Sequence, residues 1–99
     1  MTFQTLHPRL TPSRAKWLTL LLKGPADPAA NRLGRTQSDC LNLGWTERGA
    51  MIGDEHCPFK YPEIEARFGE RYWDRPDFKG YWDSITDDGR AALTKGPIQ

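Results

Sequence analysis

Tyr81-Trp82-Asp83-Ser84-Ile85-Thr86-Asp87-Asp88-Gly89-Arg90-Ala91-Ala92-Leu93 changes its periodicity half-way along. The first five residues alternate weakly between apolar and polar, which suits a short, half-buried strand. Thr86 then offers a side-chain oxygen where the start of a helix has unsatisfied N–H groups. Asp87 and Asp88 fall in the first turn, where the helix dipole favours negative charge. The stretch predicts a strand feeding directly into a closing helix over 87–93, with Lys95 near its end and Gly96-Pro97 stopping it.

Upstream, Leu41-Asn42-Leu43-Gly44-Trp45-Thr46-Glu47-Arg48 reads in the opposite order. A helix ends, Gly44 takes the left-handed position after it, and an apolar residue opens a strand. Thr11-Pro12 starts an earlier helix, Thr as N-cap and Pro at the first helical position. Ala15, Leu18, Leu21 and Leu22 share a face of it, Trp17 lies beside them, and Gly24-Pro25 ends it. Asp27-Pro28 repeats the start signal ahead of Ala29–Leu33, which Gly34 closes. Thr36 and Asp39 form a capping-box-like pair opening Gln37–Leu43. One long and two short helices separated by tight glycine turns are the pattern of a helix-turn-helix. Residues 1–10 carry no period and read as an arm.

Between the two strand signals, Gly49, Gly53 and Pro58 make a turn-rich stretch. Pro62 to Trp73 is predicted helical, with Tyr61, Ile64, Phe68 and Tyr72 on one face. Asp74 to Gly80 is a polar loop containing Pro76. The expected fold is α+β and mainly helical: a three-helix core, a small β-hairpin and an inserted helix. It forms one domain over residues 11–99, with the insertion at 49–80.

The segments at 41–48 and 81–93 together resemble the winged helix-turn-helix superfamily. Leu41-x-x-Gly44-Trp45 looks like the end of a recognition helix entering the first wing strand. Ile85-Thr86-x-x-Gly89-Arg90-x-x-Leu93 is similar to the second wing strand and closing helix of regulators of the MarR and PadR kind. The match covers about a third of the chain, and the Thr11–Leu43 helices are compatible with the rest. The chain departs from that pattern in two places. Gly49 to Gly80 replaces the short wing hairpin, and Gln37–Leu43 is short for a recognition helix. A trimmed core with an unusual insertion is similar to small bacteriophage and mobile-element proteins.

Ninety-nine residues leave room for a single core. Four Trp, three Tyr and four Phe offset an apolar fraction of 37 %, because each buried ring removes on the order of 150–250 Å² from water. The longest apolar run, Leu20-Leu21-Leu22, is far short of the roughly 20 residues that span a bilayer. The N-terminus lacks the apolar core of a secretory signal. Two cysteines without that signal make a disulfide framework a poor reading, so the expected compartment is the cytoplasm. Net charge is +1. Residues 1–50 hold seven Lys/Arg against three acids, a net of +4, and residues 51–99 hold seven against ten, a net of −3. A basic half suits an anionic partner, although an ordinary mixed surface explains the split equally well.

On the helix-turn-helix reading, Arg32, Arg35, Thr36, Gln37, Ser38 and Asn42 are the side chains placed to meet DNA. Gln and Asn suit adenine, and Arg suits guanine or phosphate. Arg48 would reach phosphate from the strand edge. The resemblance thus implies a small DNA-binding regulator acting on double-stranded DNA. The rival reading is a phage-type inhibitor of a bacterial defence complex (anti-CRISPR-like), which binds a host protein complex through Arg71, Trp73, Arg75 and Trp82. A homodimer built on the insertion is a third. The eight aromatic residues between Phe59 and Trp82 are expected mainly in the core, with Trp73 and Trp82 partly exposed. With the basic residues among them, they would also suit single-stranded nucleic acid.

No catalytic residue is expected. Cys57 and the adjacent His56 diverge from each other, no Gly-rich phosphate loop occurs, and Glu63, Glu65 and Glu70 read as a solvated helix face. No cofactor or metal is expected either, since Cys40, Cys57, His7 and His56 lack the tight pair that fixes two zinc ligands on one turn.

Overall fold

A computed structural model describes residues 9–59 and 63–95. The elements run α1 (Pro12–Leu21), α2 (Pro28–Asn31), α3 (Arg35–Asn42), β1 (Thr46–Ile52), β2 (Glu55–Pro58), α4 (Glu63–Phe68), a 3₁₀ turn (Tyr72–Asp74), β3 (Phe78–Ile85) and α5 (Asp87–Lys95). The chain is a small, mainly helical α+β fold, as the sequence predicts: 47 % of the described residues are helical and 24 % are in strands. The sheet is antiparallel in the order β2-β1-β3.

Helix α1 starts where Thr11 and Pro12 direct: Thr11 Oγ1 accepts the Arg14 N–H at 3.2 Å. Trp17, Leu18 and Leu21 form its buried face, the two leucines each contributing on the order of 1.5–3 kcal/mol by leaving water. Leu22, expected on that face, is exposed, because α1 ends one residue before it. With Leu10, Cys40 and Trp45 these residues make the first core, against which Ile85, Ala92 and Leu93 pack. The strand that leads through Ile85 into α5 therefore closes on α1. From α3 the core takes Cys40, while Leu41 is only half-buried.

Thr86 and Gly44 both behave as read. Thr86 Oγ1 accepts the Gly89 N–H at 3.1 Å and donates to the Gly44 carbonyl at 2.6 Å. One side chain thus caps α5 and ties it to the exit of α3. Gly44 has the left-handed φ of 78°.

Other local expectations are corrected by contacts made at a distance. Helix α3 begins at Arg35 behind Gly34, and no side chain caps it. Asp39, expected to complete a capping box with Thr36, instead accepts from Arg14 at 3.3 Å. Leu10 is buried in the first core, and the Arg9 carbonyl accepts from Arg14 at 2.8 Å, so these two residues belong to the fold. The remaining arm residues 1–8 lie outside the described residues, as does the stop at Gly96-Pro97. Gly49, expected in a turn, sits inside β1, opposite Pro58 on one side and Trp82 on the other. The inserted helix is shorter than 62–73, since Gly69 at φ 97° ends it and only a 3₁₀ turn follows. Strands β1 and β3 pair out to Ile52 and Phe78, which confines the insertion to 53–77.

The register places Thr46, Arg48, Ala50 and Ile52 on one face of β1, with their partners Ile85, Asp83, Tyr81 and Phe78 from β3. Both cores lie on that face. The first takes Ile85 and packs beneath the helices, and the second joins Ala50, Ile52, Phe78 and Cys57 to Ile64, Phe68 and Tyr72 of the insertion. Between them lies one charged row, Arg48 and Asp83.

Candidate nucleic-acid interface

The α2–α3 unit is built by short-range bonds. Asp27 Oδ1 accepts the Ala29 N–H at 3.0 Å, and Asn31 Nδ2 donates to the Asp27 carbonyl at 2.8 Å. Arg32 then turns the chain in the left-handed conformation, φ 46° and ψ 48°. Gly34, expected to close this helix, serves the entry to α3 instead, with φ at 57°. Gln37 Nε2 donates to the Pro28 carbonyl at 3.0 Å, which locks α3 against the start of α2.

Of the residues expected to meet DNA, Arg32, Arg35, Ser38 and Asn42 are exposed. Positions 35, 38 and 42 fall within an arc of about 60° at 100° per residue, opposite Gln37 and Cys40. Thr36 is half-buried. Gln37 does not share the exposed arc: it is 7 % exposed and its amide is committed to Pro28. Arg48 is also engaged, its Nε and a terminal nitrogen donating to the two Asp83 carboxylate oxygens at 2.7 and 3.2 Å. A guanidinium held this way by a fully buried carboxylate is not a free phosphate ligand.

Charge separates along the same line. Over residues 9–45 the exposed charged side chains are Arg9, Lys16, Lys23, Arg32 and Arg35, all cations. Among the described residues none of the five is in an ion pair. The two acids of that stretch are half-buried and occupied, Asp27 as the cap of α2 and Asp39 with Arg14. Arg14, counted in the sequence as basic surface, is buried across the Trp45 ring at 5.9 Å.

The insertion differs. Arg67, Arg71, Arg75 and Lys79 each face a carboxylate of the same region, Glu55, Asp74, Asp77 and Asp54. The Arg75 hydrogen bond holds the Asp77 carboxyl below its usual range. Trp73 is exposed as expected. Trp82 is half-buried and, one residue out of step with Tyr81 and Asp83, belongs to the opposite sheet face, where its indole lies by Gly80. Arg71, Trp73 and Arg75 lie at the 3₁₀ turn of the insertion, while Trp82 lies on the face of β3 opposite Tyr81 and Asp83. Two further rings, Phe59 and Tyr81, are exposed although the sequence predicts them in the core. The period of two along β3 is the available signal, because it puts Tyr81 on the face that faces the insertion.

The thiols are not activated. Burial pushes Cys40 up to about 11, only partly opposed by Arg14, and burial also raises Cys57. Both are therefore protonated near neutrality, the unreactive form. His56 Nε2 donates to the Trp82 carbonyl at 2.6 Å. Among the described residues no group of three or more His, Cys, Asp or Glu is placed to hold a metal, and no helix is long and apolar enough to cross a membrane. Comparison with protein-family models, curated proteins and solved structures finds no match for this chain.

Proposed function

We propose that the protein is a small DNA-binding regulator that holds double-stranded DNA against the exposed arc of α3 and the α2–α3 turn. The observation that carries this reading is the uniform sign of the exposed charge over residues 9–45, unneutralised among the described residues, together with the exposed polar stripe Arg35, Ser38 and Asn42 on α3. Five exposed cations within residues 9–45, in no ion pair among the described residues, attract a polyanion, and released counterions make the binding salt-sensitive. Ser38 and Asn42, on the same exposed arc as Arg35, add groups able to hydrogen-bond base edges. The likeness of segments 41–48 and 81–93 to winged helix-turn-helix regulators agrees with this, since it makes α3 the reading helix. Short as α3 is, its stripe spans about two turns.

Fluorescence anisotropy with a labelled random-sequence duplex tests the reading. Arg35→Ala should weaken binding about tenfold, within the 1–3 kcal/mol expected of an arginine contact. Arg71→Ala, whose guanidinium is already satisfied by Asp74, should change it less than about twofold. Equal losses in the two variants, or a wild-type protein that binds no duplex at low salt, would contradict the assignment.

A further inference from the structure

Among the described residues, Arg32 alone has a positive φ without being glycine. At φ 46° and ψ 48° it stands in the left-handed region, where the Cβ of an L-residue crowds the following carbonyl. Straight after a helix this is the position at which glycine is most favoured, and Gly44 fills its counterpart after α3. Arginine there costs stability, and such strain persists only where the surroundings enforce it. The enforcement is built into the α2–α3 turn. Arg32 N–H donates to the Pro28 carbonyl at 3.2 Å, Asn31 bonds back to the Asp27 carbonyl, and the Gln37 amide ties α3 to that same Pro28 carbonyl. The side chain, by contrast, has no part in the fold. It is exposed, and with the described residues it makes no hydrogen bond, ion pair or ring contact.

We infer that the Arg32 guanidinium is a phosphate ligand, held at a cost in stability to grip the duplex backbone while the α3 stripe faces the bases. The inference rests on the DNA-binding reading and adds a division of labour within it. Arg32 lies in the turn that leads into α3, three residues before the stripe begins at Arg35. A side chain carried on a backbone already fixed by three hydrogen bonds loses less freedom on binding than one on a mobile loop. Contacts to phosphate set register and affinity without carrying sequence information. A residue whose backbone opposes it and whose side chain meets nothing in the fold is thereby explained by what it meets outside.

Arg32→Gly in the full chain separates fold from function, because its two readouts should move in opposite directions. The thermal midpoint should rise by about 4 °C, the shift that relieved left-handed strain produces in a domain of this size. Affinity for a random-sequence duplex should nonetheless fall about tenfold, and the slope of log affinity against log salt should flatten by about 0.9, the share of one phosphate. Arg32→Lys keeps the charge and should retain most of the binding and the full slope. A glycine variant no more stable than the wild type overturns the strain argument. Unchanged affinity and slope in that variant, beside a clear loss with Arg35→Ala, overturn the Arg32 contact alone. Arg32→Lys as weak as Arg32→Gly, with a loss that depends on duplex sequence, overturns phosphate as the ligand. A wild-type protein that binds no duplex overturns the DNA-binding reading and this contact together, whatever the midpoint does.

Discussion

Arg48→Ala is expected to lower the unfolding free energy by about 3 kcal/mol, the lower end of the cost of stripping one partner from a buried ion pair. The lower end applies because the Arg48 side chain is 38 % exposed while that of Asp83 is fully enclosed. Alanine leaves the Asp83 carboxylate where it was, between the two cores and without its cation. Its backbone cannot swing away, since Asp83 N–H donates to the Ala26 carbonyl at 2.9 Å and Ala26 N–H donates back at 3.0 Å. The reciprocal change should be milder. Asp83→Asn keeps an acceptor for the guanidinium, which can also turn to water, so a loss of about 1 kcal/mol is expected. Against a total stability on the order of 5–15 kcal/mol, only the first substitution brings the fold near its threshold. Urea unfolding midpoints for the pair measure the asymmetry. Equal losses would mean that the charged row is not the junction described above.

Gly89→Ala should destabilise the protein by about 2–3 kcal/mol, reversing the sign that helix propensity gives. In an open helix the change is favourable by roughly 1 kcal/mol. Here α5 passes so close to the end of α3 that a Cβ on Gly89 would lie 2.2 Å from the Trp45 carbonyl oxygen and 2.8 Å from Ile85 Cγ1. Backbone stands on one side and a packed β-branched residue on the other, so neither can yield without moving α5, as in other overpacked cores. The helix would lift from the first core and expose Ile85, Ala92 and Leu93. Thermal unfolding followed by circular dichroism decides the matter: an alanine variant as stable as the wild type, or more so, contradicts the close approach. The glycine in the Thr86-x-x-Gly89-Arg90 segment thus has a packing reason that local propensity does not supply.

What the sequence discloses and what it hides divide by range. Helices α1 and α5 are legible because their start signals are local: Thr11 and Thr86 each bond an N–H three residues on. The start of α3 is not, since its plausible cap partner Asp39 is claimed by Arg14, twenty-five residues earlier. Gly49 has the look of a turn residue, yet it serves a strand whose neighbour passes too close for a side chain: a Cβ there would meet the Cys57 carbonyl oxygen at 2.1 Å. The candidate site shows the same limit. Arg48 and Arg35 look alike in a sequence, yet one is bound to a buried acid thirty-five residues away and the other is exposed and in no ion pair among the described residues. Gln37 suits adenine by type but is consumed by Pro28. Arg32, Arg35, Ser38 and Asn42 remain exposed because no distant side chain among the described residues covers them.

Backbone-amide NMR during titration with duplex DNA tests the central proposal most directly, since it reports position as well as binding. The largest shifts are expected between Arg32 and Asn42, and Arg35→Ala should remove them without altering the free spectrum elsewhere. Shifts concentrated between Glu55 and Trp82, or none at low salt, would contradict it.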